Sequence, residues 1–241
     1  MVSPLFELPA YLGLGVVCGS ISAAFSRLQD LFVNAFQAED GVASRIPQDV
    51  RPLLGGLVCG LTGLFLPQTL FNSYATLDQL LVGKGLELSL LLQLLASKLV
   101  LSAFCIGSGL IGGVFAPALF FGAVAGAAYQ HVAAGLVEAL QETVVNLSAH
   151  AHATGDASAL AWVFSPEAMT GLSDFVSVAD APAYATVGAA ATLGAIFRAP
   201  LTASMLLFEL TQNHDLVLPV LSAAGLGGLF ADIIDHPSKQ R

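Results

Sequence analysis

The sequence is short of charge. Asp, Glu, Lys and Arg make up only 10% of its 241 residues, against roughly 25% in an ordinary soluble domain. A water-soluble chain of this length would have to cover its surface with very few ionised groups. Basic residues are scarcest: eight Lys and Arg against 17 Asp and Glu, with no basic cluster, so nucleic acid is not an expected partner. Cysteine is also scarce. Cys18, Cys59 and Cys105 all lie inside apolar runs and have no metal-ligand spacing. They read as packing residues, without a disulfide framework. The N-terminus "MVSPLFELPAYLGLG" lacks a basic region and a cleavage site, so no signal or transit peptide is expected there. No Ser/His/Asp, paired-carboxylate or HExxH constellation stands out, so enzymatic function is not expected. No repeat array is expected either.

What is present is hydrophobic: 56% of residues, with a mean hydropathy of +0.79. Low charge and long apolar runs point to lipid as the solvent. The runs are approximately Leu8–Phe36, Pro52–Leu66, Leu86–Ile106, Val114–Val137, Ala183–Phe197, Leu201–Leu210 and Leu216–Ile234. A bilayer core of about 30 Å needs about 20 helical residues. The first run is long enough, although Arg27 interrupts its far end, and the third is long enough although it holds Glu87, Gln93 and Lys98. Others are too short to span. Short segments in series predict an all-α, polytopic membrane protein with tilted, broken and re-entrant helices, since a break in lipid needs protein or water beside it. Much of the acid lies outside the runs, at Glu39, Asp40, Asp49, Glu138, Glu142, Asp156, Glu167, Asp174 and Asp180, and reads as solvated loop.

Three "small-xxx-small" stretches, Gly15–Gly19, Gly56–Gly60 and Gly122–Gly126, predict close helix packing. Residues 138–182 are polar, acidic and turn-rich, and are expected to form an extramembrane loop, with short helices at most. His150 and His152 are neighbours there without a third ligand, so no metal site is expected. Asn146-Leu147-Ser148 is a glycosylation sequon by pattern only.

The stretch "GSGLIGGVFAPALFFGAVAG", Gly107–Gly126, places a glycine cluster between two apolar runs. Gly107, Gly109, Gly112 and Gly113 disfavour regular helix. An uncharged run resumes at Val114, with Pro117 near its start, where a missing N–H costs nothing. A helix is therefore expected to begin at Val114 or Phe115. Its first amides have no intrahelical acceptor, and with the positive dipole end they favour an anion. The competing reading is that the glycines only turn the chain between two spanning helices. The residues alone leave both open.

At these residues the sequence resembles the CLC family of chloride channels and chloride/proton exchangers. "GSGLIGGVFAP" resembles its GSGxxGGxFxP signature at Gly107, Ser108, Gly109, Gly112, Gly113, Phe115 and Pro117, and Lys98 upstream also fits. Ala183–Gly227 resembles the family's closing helices, through Arg198-Ala199-Pro200-Leu201-Thr202, Phe208-Glu209-Leu210-Thr211 and Leu218-Pro219. "GLVCGLTGLFLP", Gly56–Pro67, is a weaker match. The resemblance implies a multi-pass integral membrane protein, dimeric, bound to lipid, with one anion pathway per subunit. Its ion would be chloride, as transported ion rather than cofactor. The implied anion-binding residues are Gly113, Val114, Phe115 and Pro117, with the amides of Val114 and Phe115 facing the ion and the Phe115 ring beside the pathway. Only the second of the family's two inverted halves is matched. The GSGIP-type stretch whose Ser lines the site, the GxEGP stretch whose Glu gates it, and a matching pathway Tyr are not found. The expectation is therefore a partial CLC-type transmembrane domain over residues 1–241, needing a second copy or a partner that supplies the other half. A channel and a proton-coupled antiporter both remain open, and the alternative is a non-conducting scaffold or assembly subunit. Arg198 is read as a helix cap rather than an anion ligand, and Glu209 as an interfacial structural residue rather than a proton relay.

Overall fold

A computed structural model describes residues 8–37, 47, 50–65, 74–83, 86–154 and 180–235. Side chains at 65, 74–75, 140–141 and 144–154 are outside that description, as are Glu39, Asp40 and Asp49 and the stretch 155–179 with Asp156, Glu167 and Asp174. The chain folds as α1 Leu8–Gln37, α2 Arg51–Phe65, α3 Tyr74–Leu81, α4 Leu88–Gly107, α5 Phe115–Thr154, α6 Ala181–Phe197, α7 Pro200–Thr211 and α8 Val217–Asp235. A 3₁₀ turn, His214–Leu216, precedes α8. No strand occurs among the described residues. Each apolar run of the sequence is a helix, with edges moved by a few residues except at the end of α5, which runs on to Thr154. Four helical stretches are long and apolar enough to cross a bilayer core: Leu8–Phe36, Leu88–Gly107, Phe115–Ala139 and His214–Asp235.

The core is built around α6. Every residue from Tyr184 to Ala195 is buried, so this helix is enclosed on all sides. Its sequence, "YATVGAAATLGA", is mostly small side chains, which let α5, α1, α8 and α7 pack directly against it. Across α5 and α6 a Cβ on Gly122 would fall 2.5 Å from Ala189 Cα, and one on Gly126 would fall 2.7 Å from the Tyr184 carbonyl carbon. The two approaches pair 122 with about 188 and 126 with 184, so the helices run antiparallel. That register carries the start of α5 to the end of α6. Across α1 and α8, a Cβ on Gly15 would fall 2.6 Å from the Ala223 carbonyl oxygen and one on Gly19 would fall 2.5 Å from that of Gly227. Here both numbers rise together and the helices run parallel, so that Arg27 further along α1 reaches the end of α8 and donates to the Ile234 carbonyl at 2.9 Å. Aromatic pairs fill the wider gaps, with Tyr11 stacked on Tyr184 at 4.8 Å and Phe25 tilted against Phe121 at 5.3 Å between ring centroids.

Three expectations are corrected. The Gly56–Gly60 stretch of α2 is not a packing face, because a Cβ at either glycine meets nothing within 4 Å; the close approach falls one residue earlier, at Gly55. The segment from Glu138 does not begin as a loop, because α5 runs on to Thr154 and carries Asn146, His150 and His152. Its composition explains this: from Leu136 to Thr154 there is no Gly or Pro, and Ala, Leu, Glu and Gln favour helix even where the face is polar. Finally, only Cys18 is buried; Cys59 and Cys105 are half-buried.

Candidate anion site at a helix break

The glycine stretch between α4 and α5 is a helix stop followed by a helix start. At the stop, Ser108 N donates to Phe104 O at 2.9 Å, Gly109 N to Ile106 O at 3.0 Å and Leu110 N to Cys105 O at 3.1 Å. Gly109 takes φ +90°, a step that a side chain would oppose. Ser108 is buried, and its hydroxyl donates to Cys105 O at 2.8 Å, so it secures the turn. Ile111, Gly112 and Gly113 then run exposed, and nothing lies within 4 Å of where a Cβ on Gly112 or Gly113 would be.

The start follows at Phe115, as the spacing predicts. Val114 O accepts from Ala118 N at 2.9 Å and closes the first turn. Pro117 is the third helical residue and brings no N–H. The amides of Phe115 and Ala116 precede any helical acceptor and make no turn bond to the described backbone. Val114 packs its side chain against the core, while the Phe115 ring is 41% exposed.

Phe115 opens onto an apolar groove of about 350 Å³, whose other walls are Leu193 and Phe197 of α6 and Ala199, Thr202 and Leu206 at and beyond the start of α7. The break between α6 and α7 shapes that wall. Arg198 sits left-handed at φ 54°, and its amide donates to Gly194 O. Ala199 N also donates to Gly194 O, at 3.0 Å. Pro200 opens α7, and Ala203 N donates to Ala199 O at 3.0 Å. The amides of Leu201 and Thr202 are thus in the same state as those of Phe115 and Ala116. Two helix N-termini, each with a proline in its first turn, therefore edge one groove, and no charged side chain lines it. Partial charges of this kind hold an anion without a full counter-charge. Sequence reading missed α7's part in this wall; the signal was the Ala199-Pro200 pair, read only as a helix closure.

The other candidate side chains lie elsewhere. Arg198 caps α6 and turns its guanidinium to α8, with Nε 3.2 Å from Asp232 and a terminal nitrogen 3.7 Å from Asp235. Glu209 is exposed near the end of α7, where its main-chain carbonyl accepts from the Gln212 side chain at 3.0 Å. Lys98 is buried on α4 with its Nζ 5.7 Å from the Phe120 ring centroid. It lies about 14 Å along the helix from Gly107, at about 1.5 Å per residue. Among the described residues no group of three or more His, Cys, Asp or Glu gathers to hold a metal.

Comparison with known proteins identifies the family. The chain is 40% identical to the chloride channel protein CLC-e of Arabidopsis thaliana over 224 residues, covering 91% of the chain and 28% of that protein. It is 27% identical to the H⁺/Cl⁻ exchange transporter ClcA of Cronobacter sakazakii, covering 91% of the chain and 38% of that protein. A crystal structure of a slow cyanobacterial Cl⁻/H⁺ antiporter shares the fold, with a TM-score of 0.62 at 21% identity over 97% of the chain and 45% of that structure. The chain thus spans less than half the length of the relatives it matches. The family model described as voltage gated chloride channel matches residues 1–232, and the chain belongs to this CLC family of integral membrane proteins.

Proposed function

We propose that the chain contributes one half of a chloride pathway, acting within a CLC-type channel or chloride/proton antiporter. The observation that carries this reading is the start of α5, where two amides without helical acceptors follow Gly113 and Phe115 lines a groove with no charged wall. An ion held by main-chain N–H groups and a helix dipole is held weakly enough to leave, which transport requires. On this reading Gly113 and Val114 bring the chain past the ion, the Phe115 amide and ring face it, and Pro117 removes a competing donor and starts the helix. Chloride is then cargo, and the protein needs no cofactor of its own.

The same reading supplies partners. Leu201, Met205 and Leu210 of α7 and Leu218, Leu229 and Ile233 of α8 expose large apolar side chains. Lipid, and a second copy or a protein supplying the other family half, would cover such faces. Reconstitution into chloride-loaded vesicles tests the function, with the chain alone and together with the first half of a related CLC protein. Chloride efflux that falls in Gly113→Val supports transport. Tight vesicles in both preparations, with α-helical content intact, would assign the chain to a non-conducting scaffold.

A further inference from the structure

The two half-buried cysteines fall where α2 meets the end of α4. Cys105 Sγ lies 4.0 Å from the Gly55 carbonyl oxygen. A Cβ on Gly55 would collide with Ser108 Oγ and fall 2.7 Å from Leu110 Cδ1, so the start of α2 is seated on the end of α4. Further along α2, Val58 and Thr62 face Val100, Leu101 and Phe104 across an apolar groove of about 460 Å³. As residue numbers rise on α2 they fall on α4, and the helices are antiparallel. Cys59 lies one turn beyond Gly55 on the same face of α2, and the antiparallel register places it level with Cys105. Gly60, just past them, meets nothing within 4 Å. Cys59 and Cys105 therefore face one another at the edge of the seated contact, where the groove begins.

We propose that Cys59 and Cys105 are a disulfide-forming pair that joins α2 covalently to the end of α4. The oxidant is a small-molecule disulfide. The thiolate of one cysteine attacks a sulfur of that disulfide and displaces one external thiolate. The second cysteine's thiolate attacks the resulting mixed disulfide, the Cys59–Cys105 bond closes, and the other external thiolate leaves. Two electrons pass from the cysteine sulfurs to the external disulfide, and the two thiol protons end on the released thiolates. Cysteines at facing positions, one turn along from a seated backbone contact, can be bridged without large backbone movement. Cys18 is the internal contrast: it is buried, with Sγ 3.6 Å from Gly188 O, in another part of the core.

The bond would fix α2 to the turn at Ser108–Gly109, the first residues of the stretch leading to α5. Its effect on ion passage rests on the proposed transport function, so thiol state and flux are read separately. Vesicles holding the chain with the first half of a related CLC protein are treated with uncharged, lipid-permeant 4,4′-dithiodipyridine. Intact-mass analysis of the chain is expected to show a loss of two hydrogen atoms and no adduct at Cys59 or Cys105. Cys59→Ser and Cys105→Ser should each instead carry a pyridyl adduct on the remaining cysteine. Separate adducts at both positions in the parent, or two unreacted thiols, would overturn the pair. Chloride efflux is expected to fall severalfold on oxidation and to recover with dithiothreitol, with no such change in Cys59→Ser. A disulfide formed with efflux unchanged would refute the coupling to the helix break. A disulfide formed in protein that passes no chloride in either state would refute the transport reading and leave the pair standing.

Discussion

Gly122→Ala should separate α5 from α6. The added methyl carbon would sit 2.5 Å from Ala189 Cα and 2.6 Å from the Gly188 carbonyl carbon. Ordinary van der Waals approach begins at 3.4 Å, so the helices must part by at least 3.4 − 2.5 = 0.9 Å. The nearest obstacle is the Gly188 carbonyl oxygen; all three are backbone, and no rotamer change relieves them. Overpacking of this kind costs about 1–3 kcal/mol, and a gap of that size weakens the dispersion attraction between the two helices by about a quarter to a half. The upper end, about 3 kcal/mol, is therefore expected, because α6 is buried along its whole middle and has no free side to move toward. Gly225→Ala supplies the control: nothing lies within 4 Å of its Cβ position, and Gly to Ala within a helix gains about 0.5–1 kcal/mol. Unfolding in mixed micelles of mild detergent and dodecyl sulfate, followed by far-ultraviolet circular dichroism, reads both. If Gly122→Ala were as stable as Gly225→Ala, the close antiparallel register of α5 on α6 would be wrong, and with it the placement of Phe115 beside Leu193 and Phe197.

Gly113→Val should leave stability nearly unchanged, because its surroundings within the chain are open. It should cut chloride efflux about tenfold or more, the loss of one charge-assisted hydrogen bond at about 1.5–3 kcal/mol; equal efflux would remove Gly113 from the pathway. Arg198→Gly should stabilise by about 0–2 kcal/mol in unfolding titrations, since a half-exposed ion pair contributes only about 0–1 kcal/mol and glycine relieves a left-handed residue by about 1–2 kcal/mol. Its efflux should match the parent; a loss like that of Gly113→Val would make the guanidinium an anion ligand. Arg198→Val, β-branched at the same φ, should destabilise by about 1–2 kcal/mol in the same titration. Thr192→Val should stabilise by up to about 1 kcal/mol, because the Thr192 hydroxyl is fully buried with no hydrogen bond of ordinary geometry; a loss of stability would show that the hydroxyl is satisfied.

Helix positions were legible because the solvent writes them. Where lipid and a packed core both demand apolar side chains, the runs coincide with helices to within a few residues, except for the far end of α5. The short α3 was not, although Gly83 just after it is a stop signal; its eight residues, "YATLDQLL", are too few to show a period. The far half of α5 was missed for a different reason. Polarity reports which solvent a segment faces, whereas helicity there follows from propensity and the absence of Gly and Pro.

The glycine motifs show the limit most clearly. Gly15–Gly19, Gly56–Gly60 and Gly122–Gly126 are alike as strings, yet two bring backbones together and one faces open space. Spacing states that a helix could accept a neighbour; only the tertiary register states whether one arrives. The break at Gly107–Gly113 differs because its information is local. Gly109 at positive φ, Pro117 inside the first turn and the loss of acceptors before Phe115 are each fixed by the residues themselves. The start of α5 could therefore be named from sequence to within one residue. The α7 wall of the groove could not, because it reaches Phe115 only through the antiparallel path of α6. Half of the candidate site is thus local chemistry, and half is a consequence of Gly122, Gly126 and Gly188 letting two backbones touch.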